Sequence, residues 1–435
     1  MRVMFTTLPF KAHLYPRVPL AWALRAAGHE VCVVSQPELT EEVMATGLTA
    51  LTVGRSLDQA DRMAEIQAQQ DDAEAATGGD GPDFGMFLRM DETRPEVLTD
   101  DFLQGLFTVM TTDVFRNLSA VSMVDDLVGA ARRWRPDLIV WDPLSFAGAI
   151  AARACGAAHA RMMYGLDLIG HMRERYLAAL DRRPAPLRED PFEEWLSPVL
   201  ERYGCTFSED LVIGQWTVDP GPGWMRLPVD APVVPVRPVS YNGRAVFPDW
   251  LREPPKRPRV CLTLGLSHRE VLGGNRLTVS GLLDAVADLD VEMIATLTAE
   301  QLAGATVPDN VRAVDFVPIN ELLPSCAAVV HQGGTGTAQT ALTHGVPQVL
   351  LPGELWDTRL KARRITEAGV ALHAEDPASL SPADLRAMLL RVLEEPSFRE
   401  AAARRQAELL AMPAPRDVVP VLEELTARHR GGGER

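Results

Sequence analysis

The stretch that decides the fold is HQGGTGTAQTALTHGVPQVLLPGELWDT, residues 331–358. The apolar residues 327–330 before it predict a strand, Gly333 to Gly336 predict a turn, and the residues from Thr337 onward predict a helix. A helix that begins after such a turn presents unpaired N–H groups and the positive end of its dipole to an anion. The stretch therefore predicts a phosphate-binding turn at the carboxyl end of a strand.

Polar side chains around this turn suit a phosphate. The turn lacks the lysine of a GxxxxGK[ST] P-loop, so a nucleoside triphosphate with magnesium is not indicated. His331 and the hydroxyls of Thr335 and Thr337 can instead donate hydrogen bonds to phosphate oxygens. The alternative is a helix start capped by Thr337 beside a buried, hydrogen-bonded histidine.

A second polar group, Glu354, Trp356, Asp357 and Thr358, follows the apolar run PQVLLPG. Ligand contacts in open α/β sheets lie at the carboxyl ends of the strands. A carboxylate there accepts hydrogen bonds from sugar hydroxyls beside a diphosphate. The alternative for Asp357 is a simple helix cap.

Strand-like and helix-like segments alternate in both halves of the chain, which predicts an α/β fold with two Rossmann-like parallel sheets. The first half contains the strand, helix and strand RVMFTTL, LAWALRAAG and HEVCVVSQ, and a later strand over Leu138 to Trp141. The second half contains the apolar runs RVCLTLG, VEMIATL, VRAVDFV, AAVVHQGG, PQVLLPG and VALHAE. Residues 382–411 and 416–428 are predicted to be helical. Residues 219–258, which are dense in proline, are predicted to connect the halves.

Composition limits the class of partner. The chain has 435 residues and a formal net charge of -16, which disfavours nucleic acid and anionic membrane surfaces as partners. Its five cysteines are scattered and form no C-x-x-C pair, as expected for reduced thiols in the cytoplasm. The sequence shows neither a signal-peptide pattern nor an apolar run long enough to span a bilayer, so we expect a cytoplasmic protein.

Several motifs in a fixed order carry a resemblance to a known family. HxGGxGT, HGVPQVLLP and WDT resemble the donor-site signature of family 1 inverting nucleotide-sugar glycosyltransferases of the GT-B fold. Five further motifs resemble the actinomycete deoxysugar transferases of macrolides and anthracyclines: VPLAWALRAAGHEV at 18–31, RPDLIVWDPLSFAGAIAA at 135–152, GQWTVDP at 214–220, PDNVRAVDFVP at 308–318 and LLPSCAAVVHQGG at 322–334. The resemblance implies transfer of a deoxysugar from thymidine diphosphate (TDP) to a polyketide aglycone, with inversion.

The same resemblance implies a division of the chain into functional parts. They are an acceptor-binding domain, residues 1–218, a proline-rich linker, residues 219–258, a nucleotide-sugar-binding domain, residues 259–411, and a C-terminal helix, residues 412–435, that packs back on the first domain.

Donor contacts of the family fall on three groups of residues. The diphosphate contacts fall on Ser267, His331, Gly334, Thr335, Gly336 and Thr337. The nucleobase contacts fall on Val317, Pro318 and Leu323, and the sugar contacts fall on Trp356 and Asp357. The resemblance implies that no metal or other cofactor is required.

The general base of the family falls on His13, and its acidic partner falls on Asp142, where relatives often have glutamate. An imidazole can take the proton of an aglycone hydroxyl at neutral pH, and a carboxylate on its other nitrogen fixes the tautomer. The shorter aspartate leaves open whether it reaches His13. An ordinary loop histidine is the alternative.

The acceptor is expected to contact Phe84, Met110 and Tyr164. Phe84 and Met110 belong to a Met- and Phe-rich segment that suits either an ordinary core or a lipophilic pocket wall. The resemblance also implies a cytochrome-P450-like activator protein as a partner, and it leaves a homodimer open.

Rival functions use the same fold. A nucleotide-sugar 2-epimerase would release and return the diphosphate, and a non-catalytic paralogue would bind nucleotide or aglycone only. His13 and the WDP motif favour transfer over both. A dinucleotide oxidoreductase is disfavoured because no G-x-G-x-x-G follows the first strand.

Overall fold

Two parallel β-sheets, each covered by helices, organise the chain in a computed structural model that describes residues 1–56, 89–265, 279–353 and 356–430. Two predicted site residues, Phe84 and Ser267, lie outside the described residues. The alternation of short apolar strands with helices predicts this architecture, since strands buried on both faces are nearly continuous apolar runs.

The first sheet has seven strands in the order β3-β2-β1-β4-β5-β6-β7. All of its strand pairs are parallel. The strands are β1 Arg2–Thr6, β2 Glu30–Ser35, β3 Thr49–Thr52, β4 Leu138–Trp141, β5 Ala158–Met162, β6 Trp216–Asp219 and β7 Val233–Pro235. The last of these lies within the range predicted as the linker. Because β1, β4 and β5 are neighbours, the loops after them meet at one edge.

The α-helices in the described residues of the first half are α1 Lys11–Leu14, α2 Val18–Ala26, α3 Thr40–Ala45, α4 Asp100–Val109, α5 Arg116–Leu118, α6 Val121–Trp134, α7 Ala147–Cys155, α8 Leu168–Arg182, α9 Pro191–Glu201 and α10 Asp210–Ile213. A π-helical segment, Met110–Phe115, joins α4 to α5. Short 3₁₀ helices occur at Tyr15–Arg17, Pro37–Leu39, Ala185–Leu187, Gly223–Met225 and Asp249–Arg252.

The second sheet has six strands in the order β10-β9-β8-β11-β12-β13, again all parallel. The strands are β8 Arg259–Thr263, β9 Glu292–Thr296, β10 Val311–Val314, β11 Cys326–His331, β12 Gln348–Leu350 and β13 Ala371–His373. Its helices are α11 Val279–Val286, α12 Ile319–Leu322, α13 Thr335–Thr343, α14 Thr358–Glu367, α15 Pro382–Glu394 and α16 Pro396–Leu410, with a 3₁₀ turn at Leu323–Ser325.

The last helix, α17 Val419–His429, returns to the first sheet. Val418, Val419 and Leu422 are buried in one core cluster with residues of β1, β4 and β5. The ring of His429 lies 5.5 Å from that of Trp216 in β6. The C-terminal segment therefore fastens the two halves together.

Two predicted boundaries differ from the structure. The helix of the opening stretch begins at Thr335 rather than Thr337, because Gly334, with non-helical φ of -58° and ψ of 136°, is already its N-cap residue. The predicted helical region 382–411 is two helices, since Pro396 starts a new one and its missing N–H cannot continue α15.

No helix among the described residues is both long and apolar enough to cross a membrane.

Candidate active site

A histidine and a carboxylate meet at the carboxyl edge of the first sheet. His13 lies in α1, directly after β1, and Asp142 follows β4, the neighbour of β1. The Nδ1 atom of His13 lies 2.7 Å from Oδ2 of Asp142, and Oδ1 of Asp142 accepts the N–H of Leu144. The shorter aspartate therefore does reach the histidine, which remains 13% exposed at its side chain.

A buried arginine, which the sequence did not single out, completes this pair. Arg17 is fully buried and donates to Oδ2 of Asp142 at 2.8 Å and to the carbonyl of Met162 at 3.1 Å. It also donates to the carbonyl of His13. One carboxylate oxygen is thus shared between the imidazole and a guanidinium.

Burial and charge act in opposite directions on this carboxylate. Burial alone would raise the pKa of Asp142, but the nearby charges of His13 and Arg17 outweigh it and lower the pKa below its usual value. Asp142 is therefore ionised when the protein is folded at neutral pH.

Tyr164 covers the pair of His13 and Asp142 from the loop after β5. Its ring centroid lies 4.2 Å from that of His13, and the two rings are inclined by 46°. Burial raises the pKa of the Tyr164 hydroxyl well above its usual value, helped by the carboxylates of Asp142 and Asp357. Tyr164 is thus a neutral wall beside the imidazole, at a position predicted to contact the acceptor.

The anion-binding feature lies at the carboxyl edge of the second sheet. Strand β11 ends at His331, Gly333 adopts a positive φ of 89°, and α13 begins at Thr335. No side chain caps this helix. The N–H groups of Thr335, Gly336 and Thr337 belong to its first turn and have no intrahelical acceptor, so they can bind an anion.

The side chain of His331 makes its hydrogen bonds within the protein. It is fully buried, its Nε2 lies 2.9 Å from Oε1 of Gln348, and its Nδ1 accepts the N–H of Gly333. Burial lowers the pKa of His331 to about 4, so the imidazole is neutral. In this arrangement His331 holds the turn in shape, and neither ring nitrogen is free to donate to a phosphate.

A lysine lies beside the glycine-rich turn, although the turn itself contains no lysine. Lys361, in the second turn of α14, is 1% exposed at its side chain. Its ammonium lies 2.6 Å from Oγ1 of Thr335 and 2.8 Å from Oδ1 of Asp357. A positive charge therefore stands at the first residue of α13, beside the free N–H groups.

Asp357 joins the two sheets. It occupies the N-cap position of α14, yet its side chain caps no N–H of that helix. Its Oδ2 instead accepts the N–H of Leu166 at 2.8 Å, from the same loop that carries Tyr164. Gly165 permits this contact, because a Cβ at that position would collide with Oδ2 of Asp357.

Trp356, the other residue predicted to contact the sugar, precedes this aspartate with a positive φ of 53°. Its partly buried ring packs against the largest apolar cluster. The backbone at Trp356 therefore makes the turn that aims Asp357 across the cleft.

The residues predicted to bind the nucleobase surround a more exposed aromatic ring. Val317 and Leu323 are buried in a core cluster, and Pro318 is buried at the start of α12. Phe316, which the sequence did not single out, is 48% exposed directly before them, at the carboxyl edge of the second sheet. Its ring is thus available for stacking, whereas Val317 and Leu323 support the loop from below.

The Met- and Phe-rich segment is only partly described. Met110 is buried in an apolar cluster with Leu106, Phe107 and Phe115. The segment was interpreted as either an ordinary core or a lipophilic pocket wall, and the position of Met110 fits the ordinary core.

No group of three or more His, Cys, Asp or Glu side chains suited to a metal ion occurs in the described part of the chain.

The first parallel sheet presents a histidine–aspartate pair at its carboxyl edge, and the second presents an anion-binding helix start at its own. This combination is that of a glycosyltransferase of the GT-B fold. More particularly, the chain belongs to the erythromycin biosynthesis protein CIII-like family. The N-terminal domain model of that family matches residues 22–265 and its C-terminal domain model matches residues 280–425.

Characterised relatives cover nearly the whole chain. The aclacinomycin-T 2-deoxy-L-fucose transferase of Streptomyces galilaeus is 53% identical over 99% of this chain and 97% of its own length. The 10-deoxymethynolide desosaminyltransferase of Streptomyces venezuelae is 46% identical over 99% and 98%. The glycosyltransferase VinC in complex with dTDP is 43% identical, covers 98% of this chain and 100% of its own, and superposes with a TM-score of 0.87.

These findings confirm the predicted fold class, family and enzyme class. The chain is a glycosyltransferase of the GT-B fold, and the relatives are sugar transferases. Nothing in them favours the nucleotide-sugar 2-epimerase.

Proposed function

We propose that this enzyme transfers a deoxysugar from TDP to a hydroxyl of a polyketide aglycone of the macrolide or anthracycline type, with inversion at the anomeric carbon. The relatives that act on 10-deoxymethynolide and on aclacinomycin T support the substrate class. The single observation that carries the mechanism is the 2.7 Å contact between His13 and Asp142 beside the cleft.

The base step uses the nitrogen that Asp142 leaves free. With Nδ1 of His13 bonded to Asp142, Nε2 takes the proton of the acceptor hydroxyl as its oxygen attacks the anomeric carbon. The new C–O bond forms as the bond from that carbon to the diphosphate oxygen breaks, so the electron pair leaves with TDP. Attack from the face opposite the leaving group inverts the centre.

The leaving group gathers charge at the start of α13. The free N–H groups of Thr335, Gly336 and Thr337, together with the helix dipole, stabilise it by about 0.3 to 2 kcal/mol. The ammonium of Lys361, held 2.6 Å from Oγ1 of Thr335, supplies a full positive charge at the same place. These groups support a transfer that requires no metal ion.

The remaining donor contacts are made to the nucleobase and to the sugar. Phe316 offers a stacking surface for the nucleobase, and the backbone of Val317 and Pro318 supplies its edge contacts. Asp357 accepts from a hydroxyl of the sugar. Tyr164, whose ring lies against His13, forms part of the acceptor wall.

The proposal includes the cellular setting of the enzyme. We place it in the cytoplasm, where TDP-sugars are made, with a cytochrome-P450-like activator as a partner of the acceptor-binding half and a homodimer left open. Purified protein that reaches full rate alone would remove the need for the activator.

A mass-spectrometric screen tests the function. The purified enzyme, with and without a candidate activator, is incubated with TDP-deoxysugars and a panel of macrolide and anthracycline aglycones. A glycosylated aglycone of inverted configuration is expected. Epimerised nucleotide sugar without any glycoside would support the 2-epimerase instead, and binding without turnover would support the non-catalytic paralogue.

A further inference from the structure

Arg17 is a fully buried cation in the base site whose contacts tie three separate elements together. Its guanidinium donates to the carbonyl of His13 in α1, to Oδ2 of Asp142 after β4, and to the carbonyl of Met162 at the end of β5. The side chains of both Arg17 and Asp142 are 0% exposed. These contacts fix where the carboxylate stands relative to the imidazole.

Packing alone does not account for an arginine here. Taking a charge out of water costs several kcal/mol, and an apolar side chain of similar volume often serves a core better. Within the described residues, the Nε atom of Arg17 has no hydrogen-bond partner, so the guanidinium is not even fully satisfied. The role of Arg17 therefore depends on the atoms that it does contact, above all Oδ2 of Asp142.

The shared oxygen has an electrostatic consequence. His13 and Arg17 both bind Oδ2 of Asp142, so the negative charge that would favour a protonated imidazole is divided between two partners. A cation held this close also repels an imidazolium directly. Both effects reduce the electrostatic stabilisation that the Asp142 carboxylate can give to a positive charge on the imidazole.

We propose that Arg17 is a positioning residue of the base site: it holds the Asp142 carboxylate beside His13 and limits how strongly that carboxylate favours the protonated imidazole. This inference rests on the proposed function for its catalytic meaning, because the placement of the carboxylate matters to catalysis only if His13 takes the acceptor proton.

Among the described residues, the other groups that face His13 do not replace this effect. Tyr164 packs its neutral ring on the imidazole from the loop after β5, and Phe10 lies on the other side with its ring centroid at 5.7 Å. Lys11, on the same helix, pairs with Glu42 at 3.4 Å. Asp357 approaches Tyr164 from the second sheet, but its carboxylate is bound by Lys361. Arg17 is therefore the cation in contact with the acid of the pair.

A histidine titration by NMR tests the inference without any substrate. Full-length protein is labelled with ¹³C-histidine, and the signal of His13 is identified by its loss in His13→Gln. Arg17→Met and Arg17→Gln remove the charge, whereas Arg17→Lys keeps it. We expect the titration midpoint of the His13 signal to rise by about one pH unit in the neutral variants and to stay near that of the native protein in Arg17→Lys.

Asp142→Asn provides the opposite change. It removes the attraction while leaving the guanidinium, so the midpoint should fall below that of the native protein. It also serves if neither neutral variant at position 17 folds, as judged from thermal melting, because an unchanged midpoint would show that the Asp142 carboxylate does not act on His13 and would remove the effect that Arg17 is proposed to limit.

The outcomes separate this inference from the proposed function. A midpoint that is unchanged in the folded neutral variants, or in Asp142→Asn, overturns the role of Arg17. A midpoint that rises supports it, whatever the activity. If the apparent pKa of the acidic limb of the kcat/KM profile shifts upward together with the NMR midpoint, the base role of His13 is supported too. If that apparent pKa does not shift, only the base role of His13 is contradicted.

Discussion

The base site and the donor site are built in contrasting ways. The base site joins His13, Arg17, Asp142 and Met162, and the contact from Arg17 to Met162 spans 145 positions of the chain. The donor site is almost continuous in sequence, since Thr335 and Lys361 are 26 positions apart. A continuous site is visible as a motif, whereas a dispersed one becomes visible only when the sheet brings its strand ends together.

The two sites also treat charge differently. The base site buries an ion pair, Arg17 with Asp142, directly against its working histidine. In the donor site the buried ion pair is Lys361 with Asp357, and the histidine that shapes the turn, His331, is kept neutral by burial. The base site therefore sets its ion pair in contact with its histidine, whereas in the donor site the ion pair contacts Thr335 at the helix start and the histidine bonds to Gln348 and Gly333.

The largest effect should come from breaking the base site alone. His13→Ala removes the proton acceptor, so kcat should fall by about 10² to 10⁴, while calorimetric affinity for TDP stays within a factor of two or so. His29→Ala, at the opposite edge of the first sheet, is the matched control and should retain turnover. Normal glycosylation by His13→Ala would show that the base lies elsewhere.

Acid should weaken the donor site through His331. Its pKa of about 4 in the folded protein lies below the usual value of about 6.5. The unfolded chain therefore binds the proton first, and the stability from this group is complete above about pH 6.5 and lost by roughly 3 kcal/mol as the pH falls toward 4.

Thermal melting from pH 7.5 to 4.5 measures this loss. His331→Gln cannot titrate, so its melting temperature should fall less steeply with acid than that of the native protein. Equal slopes in the two proteins would contradict a buried neutral histidine.

Removing the cation of the donor site should weaken TDP binding. Lys361→Met loses a charge-assisted contact, which predicts a 10- to 100-fold weaker Kd, or about 1.5 to 3 kcal/mol, by calorimetry at fixed salt. Lys256→Met, an exposed lysine outside the site, is the control.

The same substitution also leaves Asp357 without its cation, and a double variant separates the two effects. If Lys361→Met with Asp357→Asn restores native affinity, the loss came from the orphaned carboxylate and Lys361 does not act on the diphosphate. A persistent loss supports the direct role.

The smallest effect should come from the contact between the halves. Gly165→Ala forces a Cβ against Oδ2 of Asp357, a clash that costs about 1 kcal/mol and should raise the KM for the TDP-sugar several-fold. Gly223→Ala, where an added Cβ meets open space, is the control. An unchanged KM would show that Asp357 does not need this closeness to bind the donor.

Local patterns predicted much of the fold. Central parallel strands are short apolar runs, so Leu138 to Trp141 was predicted with the bounds that the structure shows. The break between α15 and α16 was missed, although Pro396, whose missing N–H cannot continue a helix, marks it in the sequence.

The site was less accessible to sequence reasoning. The motifs named His13 and Asp142, but the reach of the aspartate depends on how β1 and β4 lie side by side. The residue type of His331 indicated a group that donates a hydrogen bond to phosphate. Both of its ring nitrogens are instead bonded within the protein, to Gln348 and Gly333, and only the folded turn reveals this. Lys361 stands four residues after Asp357, a spacing that signals a helical ion pair, but its contact with Thr335 needed the structure.

The hydrogen bond from Leu166 to Asp357 connects the second half of the chain to the loop that lies beside His13. Both oxygens of Asp357 are already engaged, one by Lys361 and the other by the Leu166 N–H. Tyr164, whose ring packs on that of His13, lies two residues before Leu166 in the same loop. The contact between the two halves and the ring that covers His13 are therefore coupled through residues 164–166.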